Sequence, residues 1–307
     1  MKASVMRRGA VARALAVLCT LLWGTAFPFI KLGYRALAVA EGDVGASLLF
    51  AGLRFSLAGL MVLGFLCAQK RRFVPLRRDC LAPVLLLGGF QTLGQYLFTY
   101  IGIGFTTGAN TSIITACASF LTVLAAPLFF RSDRLTPWKI AGCVLGFGGV
   151  LVMNGGGGFS AQTLPGDALI FGSTVFAAGG NIIAKKTTQG RDPVTVTAYQ
   201  LLLGGAGLCG LGLLFGGSLR WNVQGVLILL WLALVSAAAF SIWTALLKLH
   251  AASKISVFNL LVPVFGAFLS GVLLGERVLR WETLLSLSLI AAGILLVNIS
   301  KGGEQHD

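Results

Sequence analysis

Ten apolar runs, each about twenty residues long and separated by short polar breaks, make up most of this chain. A helix that crosses a hydrocarbon core of about 30 Å needs about twenty apolar residues, because every backbone polar group in the core must be hydrogen-bonded within the helix. Charged residues make up only 11% of the chain, which is too few to cover the surface of a soluble domain. The runs therefore predict ten transmembrane helices, at residues 12–34, 46–69, 81–103, 107–130, 137–154, 166–185, 195–216, 223–248, 253–274 and 282–300.

One segment of the first half returns, in degraded form, in the second half. Residues 108–138 and 251–281 each contain a long apolar run that ends in an acid–arginine pair, with a tryptophan four residues after the arginine. A glycine-rich linker, 155–165, separates two halves of five predicted helices each. Because five is an odd number, the second copy must enter the membrane upside down relative to the first. We predict an all-α membrane protein whose ten transmembrane helices form two inverted five-helix repeats, residues 1–154 and 166–301.

A net charge of +14 would suit a nucleic-acid partner, but the distribution of the charges argues against one. Eighteen of the 24 lysines and arginines fall on one side of the predicted topology, as in the cytoplasmic loops of membrane proteins. We therefore predict a multi-pass protein of the plasma (inner) membrane with both termini in the cytoplasm and no nucleic-acid partner. The first run exceeds the apolar core of a signal peptide, so we interpret it as a membrane helix and not as a cleaved leader.

Five short motifs occur in order along the chain: Leu22–Phe27, Leu53–Phe55 with Ala58, Phe105–Ile114, Pro263–Phe265 with Leu274–Arg277, and Gly293–Val297. With the ten runs and the charge asymmetry, they resemble the EamA-type branch of the drug/metabolite transporter superfamily over essentially the whole chain. The resemblance implies a ten-helix carrier of small metabolites. One departure is Phe120, which stands where the family has a proline opposite Pro263. The resemblance therefore implies a proline helix break at Pro263 alone.

All ten acidic residues lie in predicted loops or at the ends of predicted helices. A proton-coupled antiporter of the small multidrug type needs a carboxyl group buried in the membrane that binds a proton and a cation in turn. We therefore predict facilitated transport or exchange, and proton coupling only through border groups such as Asp167 or His250.

Polar and aromatic side chains inside the predicted helices are the candidates for a substrate site. Amides and phenols in apolar surroundings need hydrogen-bond partners, and four of them recur at helical spacing on the third helix. Tyr100 corresponds to Trp243 in the repeat register, so both halves would contribute an aromatic ring. Our best candidates are Tyr96, Tyr100 and Trp243. The others are Gln91, Gln95, Trp23, Phe27, Asn110, Thr115, Asn181, Tyr199, Asn259 and Arg54. Hydrogen bonding between helices is the alternative role for each.

Two cations, Lys31 and Arg54, lie inside predicted helices, where a charge is costly unless it faces a cavity or a partner. Arg54 suits a substrate role and a structural role equally, since backbone carbonyls at a broken helix would also satisfy it. Lys31 can extend its ammonium to the lipid headgroups. If either meets substrate, its charge favours solutes that carry a carboxylate.

The predicted function is that of a secondary transporter acting by alternating access, as an exporter or exchanger of amino acids or related carboxylated or aromatic compounds. An importer or multidrug exporter of the same fold is the alternative among carriers, and a channel, sensor or structural protein is the alternative outside them. An enzyme is not indicated, because neither a catalytic dyad nor an acidic cluster is present. The six cysteines lack ligand spacing, so no catalytic residue, metal or cofactor is predicted. The expected partners are a small-molecule substrate and the lipid bilayer, with a monomer as one option.

Overall fold

The computed structural model describes residues 3–153, 155, 159–274 and 281–299, and these residues form helices and no strand. A short helix, Ala3–Met6, comes first. Ten longer helical segments follow: α1 Gly9–Ala36, α2 Val44–Lys70, α3 Arg78–Ile103, α4 Gly108–Phe129, α5 Pro137–Met153, α6 Leu164–Thr188, α7 Pro193–Leu214, α8 Val223–Leu249, α9 at residues 252–274, and α10 Trp281–Ile299. Eight are long and apolar enough to cross a membrane, and α5 and α9 contain shorter apolar helices. Each predicted boundary lies within three residues of the observed one.

Polar residues at the loop ends determine where several helices begin. The Asp43 carboxylate accepts a hydrogen bond from the Ala46 backbone N–H (2.8 Å) at the start of α2. Asp192 caps α7 in the same way, and Asn222 caps α8. Such caps satisfy backbone donors that have no partner within the first helical turn. They mark the points where the chain leaves a loop and enters the bilayer.

The contacts between helices repeat when each helix is exchanged for the one five positions later. α1 packs against α8 and α9, and α6 packs against α3 and α4, which is the same pair of contacts in the other half. α2 packs against α7, its own counterpart, and α5 packs against α10. The fold is therefore all-α, with ten transmembrane helices in two inverted five-helix repeats. The exact repeat boundaries stay a prediction. Part of the linker and the second acid–arginine pair, 276–277, lie outside the described residues.

Glycines let the two halves approach at backbone distance. A Cβ atom on Gly52 of α2 would lie 2.4 Å from the Cys209 backbone nitrogen of α7, and one on Gly205 would lie 2.5 Å from the Ser56 nitrogen. Gly142 of α5 faces the Gly293 carbonyl of α10 in the same way, at 2.5 Å. Small residues allow close packing where lipid offers no hydrophobic driving force. These glycines hold α2 against α7 and α5 against α10.

Two helices depart from regular α geometry. α9 changes to a 3₁₀ turn at Val257–Leu260 and returns to α-helix at Leu261. Pro263 follows this turn, and its missing N–H and bulky ring act on the carbonyl four residues earlier. α4, which has Phe120 in the corresponding place, is helical from Gly108 to Phe129. The turn therefore lies on the N-terminal side of Pro263.

The second irregular helix, α3, contains a π-helical turn at Gly89–Gly94 that the sequence analysis did not foresee. Thr92 in this turn donates a hydrogen bond to Gln200 Oε1 of α7 (2.9 Å). Gln91 packs against Gly180 of α6. A π turn adds a residue and rotates the side chains that follow, and such turns recur at functional sites. In this helix it directs polar side chains towards both α6 and α7.

Candidate functional site

Six aromatic rings form a continuous row between α1, α2, α3 and α8. Successive ring centroids lie 5.0 Å apart for Trp243 and Trp23, 5.4 Å for Trp23 and Phe240, and 6.0 Å for Phe240 and Phe55. The row continues through Tyr96, at 4.5 Å from Phe55, to Tyr100, at 6.2 Å from Tyr96. These tilted and edge-to-face arrangements are the ones that ring quadrupoles favour. We call Trp243, Trp23, Phe240, Phe55, Tyr96 and Tyr100 the aromatic row.

The aromatic row extends along the helix axes, from one end of α8 towards the opposite end of α3. Trp243 lies near the end of α8, on the predicted cytoplasmic side, and Tyr100 lies near the opposite end of α3. Phe240 and Trp243 are three residues apart, and Tyr96 and Tyr100 are four apart, so each pair shares a helix face. Trp23 sits near the middle of α1. Trp243 and Tyr100, the two candidates related by the repeat register, are therefore connected through four other rings and not directly.

Arg54 of α2 lies beside this row and is only 2% exposed. Its Nε donates a hydrogen bond to Ser236 Oγ of α8 (2.8 Å), and its Cζ lies 5.0 Å from the centroid of the Phe55 ring. In the part of the chain that the structure describes, no carboxylate forms an ion pair with Arg54. Since a guanidinium has five N–H donors, most of its binding capacity is unused by the described residues.

Three tyrosines lie within range of the charge of this guanidinium. Arg54 interacts electrostatically with the phenols of Tyr34, Tyr96 and Tyr100. Tyr34 comes from the end of α1 and packs edge-to-face on Phe50 of α2, with 5.4 Å between centroids. We call Arg54, Tyr34, Tyr96 and Tyr100 the arginine–tyrosine cluster. It combines one buried cation with several phenols, on the side that the predicted topology places outside.

Buried polar atoms on these helices without a hydrogen-bond partner among the described residues include Trp23 Nε1, Thr244 Oγ1 and Gln91 Oε1. Leaving such an atom unpaired in the interior costs about 1–3 kcal/mol. Native proteins usually satisfy buried polar groups with protein, water or ligand. A donor, a hydroxyl and an acceptor are thus available to a solute that enters between the halves.

Asn181 fixes the ring at the predicted cytoplasmic end of the row. Trp243 Nε1 donates to Asn181 Oδ1 (3.1 Å), and Asn181 Nδ2 donates to Thr122 Oγ1 of α4 (3.4 Å). All three side chains are buried. Because Trp243 is only 1% exposed, these two hydrogen bonds hold its indole in one orientation against Trp23.

Asn110 belongs instead to a network at the opposite end of the molecule. Its Nδ2 donates to the Asp167 carboxylate (3.0 Å), which also accepts from Thr106 Oγ1 (2.5 Å) and Thr163 Oγ1 (2.8 Å). Asp167 lies in the first turn of α6, where the helix dipole also favours a negative charge. Both carboxylate oxygens are therefore engaged in joining α6 to the start of α4.

Three further candidates make their contacts away from the aromatic row. The Tyr199 hydroxyl donates to the Val74 carbonyl (2.7 Å) in the loop between α2 and α3. Thr115 donates to carbonyls of the preceding turn of its own helix. Phe27 is 50% exposed and lies against Gly266 of α9. The structure does not bring these three side chains to the row.

Two half-buried amides complete the set. Gln95 precedes Tyr96 on α3, and Asn259 lies in the 3₁₀ turn of α9. Lys31 is exposed on α1.

Phe55, Phe240, Tyr34 and Ser236 are the site residues that sequence reasoning missed. Phenylalanine and serine inside an apolar run carry no signal of the face on which they lie, whereas Tyr34 could have been noted as a phenol near a predicted helix end.

The described residues contain no group of three or more His, Cys, Asp or Glu side chains that could hold a metal ion. The arginine–tyrosine cluster and the aromatic row offer charge pairing, hydrogen bonding and contact with aromatic rings.

Known proteins of similar sequence are transporters. The model of the EamA-like transporter family matches residues 11–155 and 164–299. A probable amino-acid metabolite efflux pump of Salmonella typhimurium is 30% identical over 300 residues, covering 92% of this chain and 93% of that protein. Its namesake from Escherichia coli is 28% identical, covering 86% of this chain and 87% of that protein.

A solved crystal structure has the same fold. It superposes with a TM-score of 0.78 at 20% identity and covers 94% of this chain and 98% of that chain. The family match extends over both halves and nearly all the described helices, so the chain is an integral, multi-pass membrane transporter. It belongs to the EamA-like transporter family.

Proposed function

We propose that the protein is a secondary transporter that exports or exchanges small carboxylated metabolites, such as amino acids or related aromatic compounds. The observation that carries the proposal is Arg54, a buried guanidinium beside the aromatic row with no ion pair to a carboxylate in the described residues. Burying a cation within the membrane is costly unless it has a partner. A carboxylate supplied by the solute would be that partner.

The rings beside Arg54 suit the rest of such a solute. A guanidinium can bind a carboxylate through two parallel hydrogen bonds. Tyr96, which is only partly buried and whose ring centroid lies 4.5 Å from that of Phe55, then offers an aromatic ring for the side chain of the solute. The names of the Salmonella and Escherichia relatives, as probable amino-acid metabolite efflux pumps, agree with this class of substrate.

Alternating access between the two repeats is the mechanism that we propose. The site joins α2 of the first half to α8 of the second through Arg54 and Ser236. At one end, Asp167 of α6 accepts a hydrogen bond from Asn110 of α4; at the other, Asp133, between α4 and α5, accepts one from the Ser253 N–H (3.0 Å) at the start of α9. Rocking of one repeat against the other would open these contacts in turn. We place the protein in the inner membrane with both termini in the cytoplasm.

Counterflow in proteoliposomes tests this function. Vesicles loaded with pools of unlabelled carboxylated metabolites should take up labelled solute with saturable kinetics. Tyr100→Ala should lower uptake about tenfold or more, because it removes one phenol of the cluster and the contact of a ring with solute. Phe65→Ala is the matched control, since Phe65 on α2 is 65% exposed. Conductance without saturation would favour a channel, and no flux with any pool would favour a structural role.

A pH gradient imposed on the same vesicles should not drive accumulation. No carboxylate lies beside the aromatic row in the described helices, and the oxygens of Asp167 are engaged in hydrogen bonds. A group that exchanges protons with solute is therefore missing from the described site. Uphill accumulation of labelled solute that follows the pH gradient and collapses with an ionophore would contradict the uncoupled mechanism.

A further inference from the structure

We infer that the arginine–tyrosine cluster selects organic monoanions over zwitterions and cations, and that this choice makes the protein an exporter driven by the membrane potential. The inference rests on the proposed function, because it concerns the substrate of the same site. Its basis is the net charge of the buried site with and without a solute.

The acidic residues on the helices that form the cluster are engaged elsewhere. Asp43 caps the start of α2 through the Ala46 N–H. Asp79, at the far end of α3, pairs with Arg77 on the surface. Asp167 of α6, which packs on α3, is held by Thr106, Thr163 and Asn110. None of these carboxylates pairs with Arg54, so the described site carries one uncompensated positive charge.

The charge of the bound solute determines the net charge of the occupied site. A monoanion makes the site neutral. A zwitterion leaves the positive charge in place, because its ammonium offsets its carboxylate, and an organic cation adds a second charge. Charge interactions are strong in a low-dielectric interior, and an uncompensated buried charge is unfavourable. The unpaired Gln91 Oε1 can accept a hydrogen bond, but as a neutral atom it does not alter this balance.

The orientation of Arg54 suits a carboxylate. Ser236 Oγ receives the Nε hydrogen bond and itself donates to the Leu232 carbonyl (2.9 Å), so the guanidinium plane is tied to α8. The terminal amino groups make no hydrogen bond to the described residues. A carboxylate that entered the cluster could therefore bind them through two parallel hydrogen bonds.

The charge of the solute then sets the direction of transport. Arg54 stays with the protein while access alternates, so one negative charge crosses the membrane with each monoanion. A potential that is negative inside drives such a charge outwards. A monoanion carrier in the predicted inner membrane therefore exports without a proton or a second ion, whereas transport of a zwitterion would not respond to the potential.

Four probes that share one ring and one chain length separate these cases. They are 3-phenylpropanoate (anion), 3-phenylpropanamide (neutral), L-phenylalanine (zwitterion) and 3-phenylpropylamine (cation). Proteoliposomes with the full-length protein, and protein-free vesicles as background, receive a potassium gradient and valinomycin. We expect 3-phenylpropanoate to be transported fastest. A tenfold potassium gradient should concentrate it about tenfold on the positive side, and the flux of L-phenylalanine should not change with the potential.

Variants test the role of Arg54 in this selection. Arg54→Gln should lower the flux of 3-phenylpropanoate about tenfold or more. The flux of the neutral amide should stay unchanged. Lys31→Gln removes the same charge from an exposed position on α1 and should leave the order of the probes unchanged. Ser236→Ala keeps the cation but frees Nε, so it should raise KM for the anion and preserve its response to the potential.

The outcomes distinguish this inference from the proposed function. Flux of L-phenylalanine equal to or above that of 3-phenylpropanoate, or anion flux that ignores the potential, would overturn the inference while transport itself stands. No carrier-mediated flux of any probe or metabolite pool would overturn both. The wild-type order of probes decides the question even if Arg54→Gln fails to fold.

Discussion

Asp133→Ala is expected to lower the free energy of unfolding by about 3–5 kcal/mol, the usual cost of removing one partner of a buried ion pair. Asp133 and Lys139 are both fully buried, with 2.6 Å between Oδ1 and Nζ. Asp133 also accepts hydrogen bonds from the Ser253 N–H (3.0 Å) and the Ser253 hydroxyl at the start of α9. The variant would leave a buried ammonium whose described partner is the Arg134 carbonyl. Unfolding by denaturant in detergent measures the loss.

The chain contains a matched control for this change. Arg77 and Asp79 form an ion pair at 3.1 Å, but their side chains are 81% and 55% exposed. Solvent screens the charges of an exposed pair, which then contributes little to stability, so Asp79→Ala should change stability little. The double variant Asp133→Leu with Lys139→Met should recover most of the loss, because it removes the uncompensated charge. If Asp133→Ala and Asp79→Ala lowered the free energy of unfolding equally, burial of the first pair would not add to stability.

Gly52→Val should prevent α2 from packing against α7. Most of the folded, monodisperse protein should then be lost. A Cβ at this position would meet the Cys209 nitrogen at 2.4 Å and the Gly205 carbonyl oxygen at 2.8 Å. Both are backbone atoms, so the clash cannot be relieved by turning a side chain. Overpacking of a core costs about 1–3 kcal/mol and sometimes more, and we expect the upper end. Size-exclusion chromatography of the purified variant measures the folded fraction.

Gly64→Val, on the same helix, controls for helix propensity and added volume. Nothing lies within 4 Å of a Cβ built on Gly64, which is exposed. Its substitution should leave the folded fraction near that of the wild type. If the folded fraction fell equally in both variants, the close approach of α2 and α7 would not explain the effect. That result would contradict the packing described for these two helices.

The ten helices could be predicted from sequence because the hydrocarbon core imposes both their length and their composition. The caps that Asp43, Asp192 and Asn222 form at the starts of α2, α7 and α8 were seen only in the structure. The inverted arrangement followed from an odd number of helices in each half. Four rings of the aromatic row, Trp23, Tyr96, Tyr100 and Trp243, were also found from sequence. Tryptophan and tyrosine carry a polar group that stands out among aliphatic neighbours.

Only the tertiary structure decided which side chains meet. In a bilayer the lipid-facing and inward-facing sides of a helix are both apolar, so periodicity does not tell Phe55 and Phe240, which join the row, from Phe65, which faces outwards. Sequence identified Asp133 as part of the acid–arginine pair before α5, but its hydrogen bonds with Ser253 depend on a contact across 120 positions. The bond from Arg54 to Ser236 spans 182 positions. Local composition determines how each segment enters the membrane, and long-range packing between the repeats determines which polar groups share the interior.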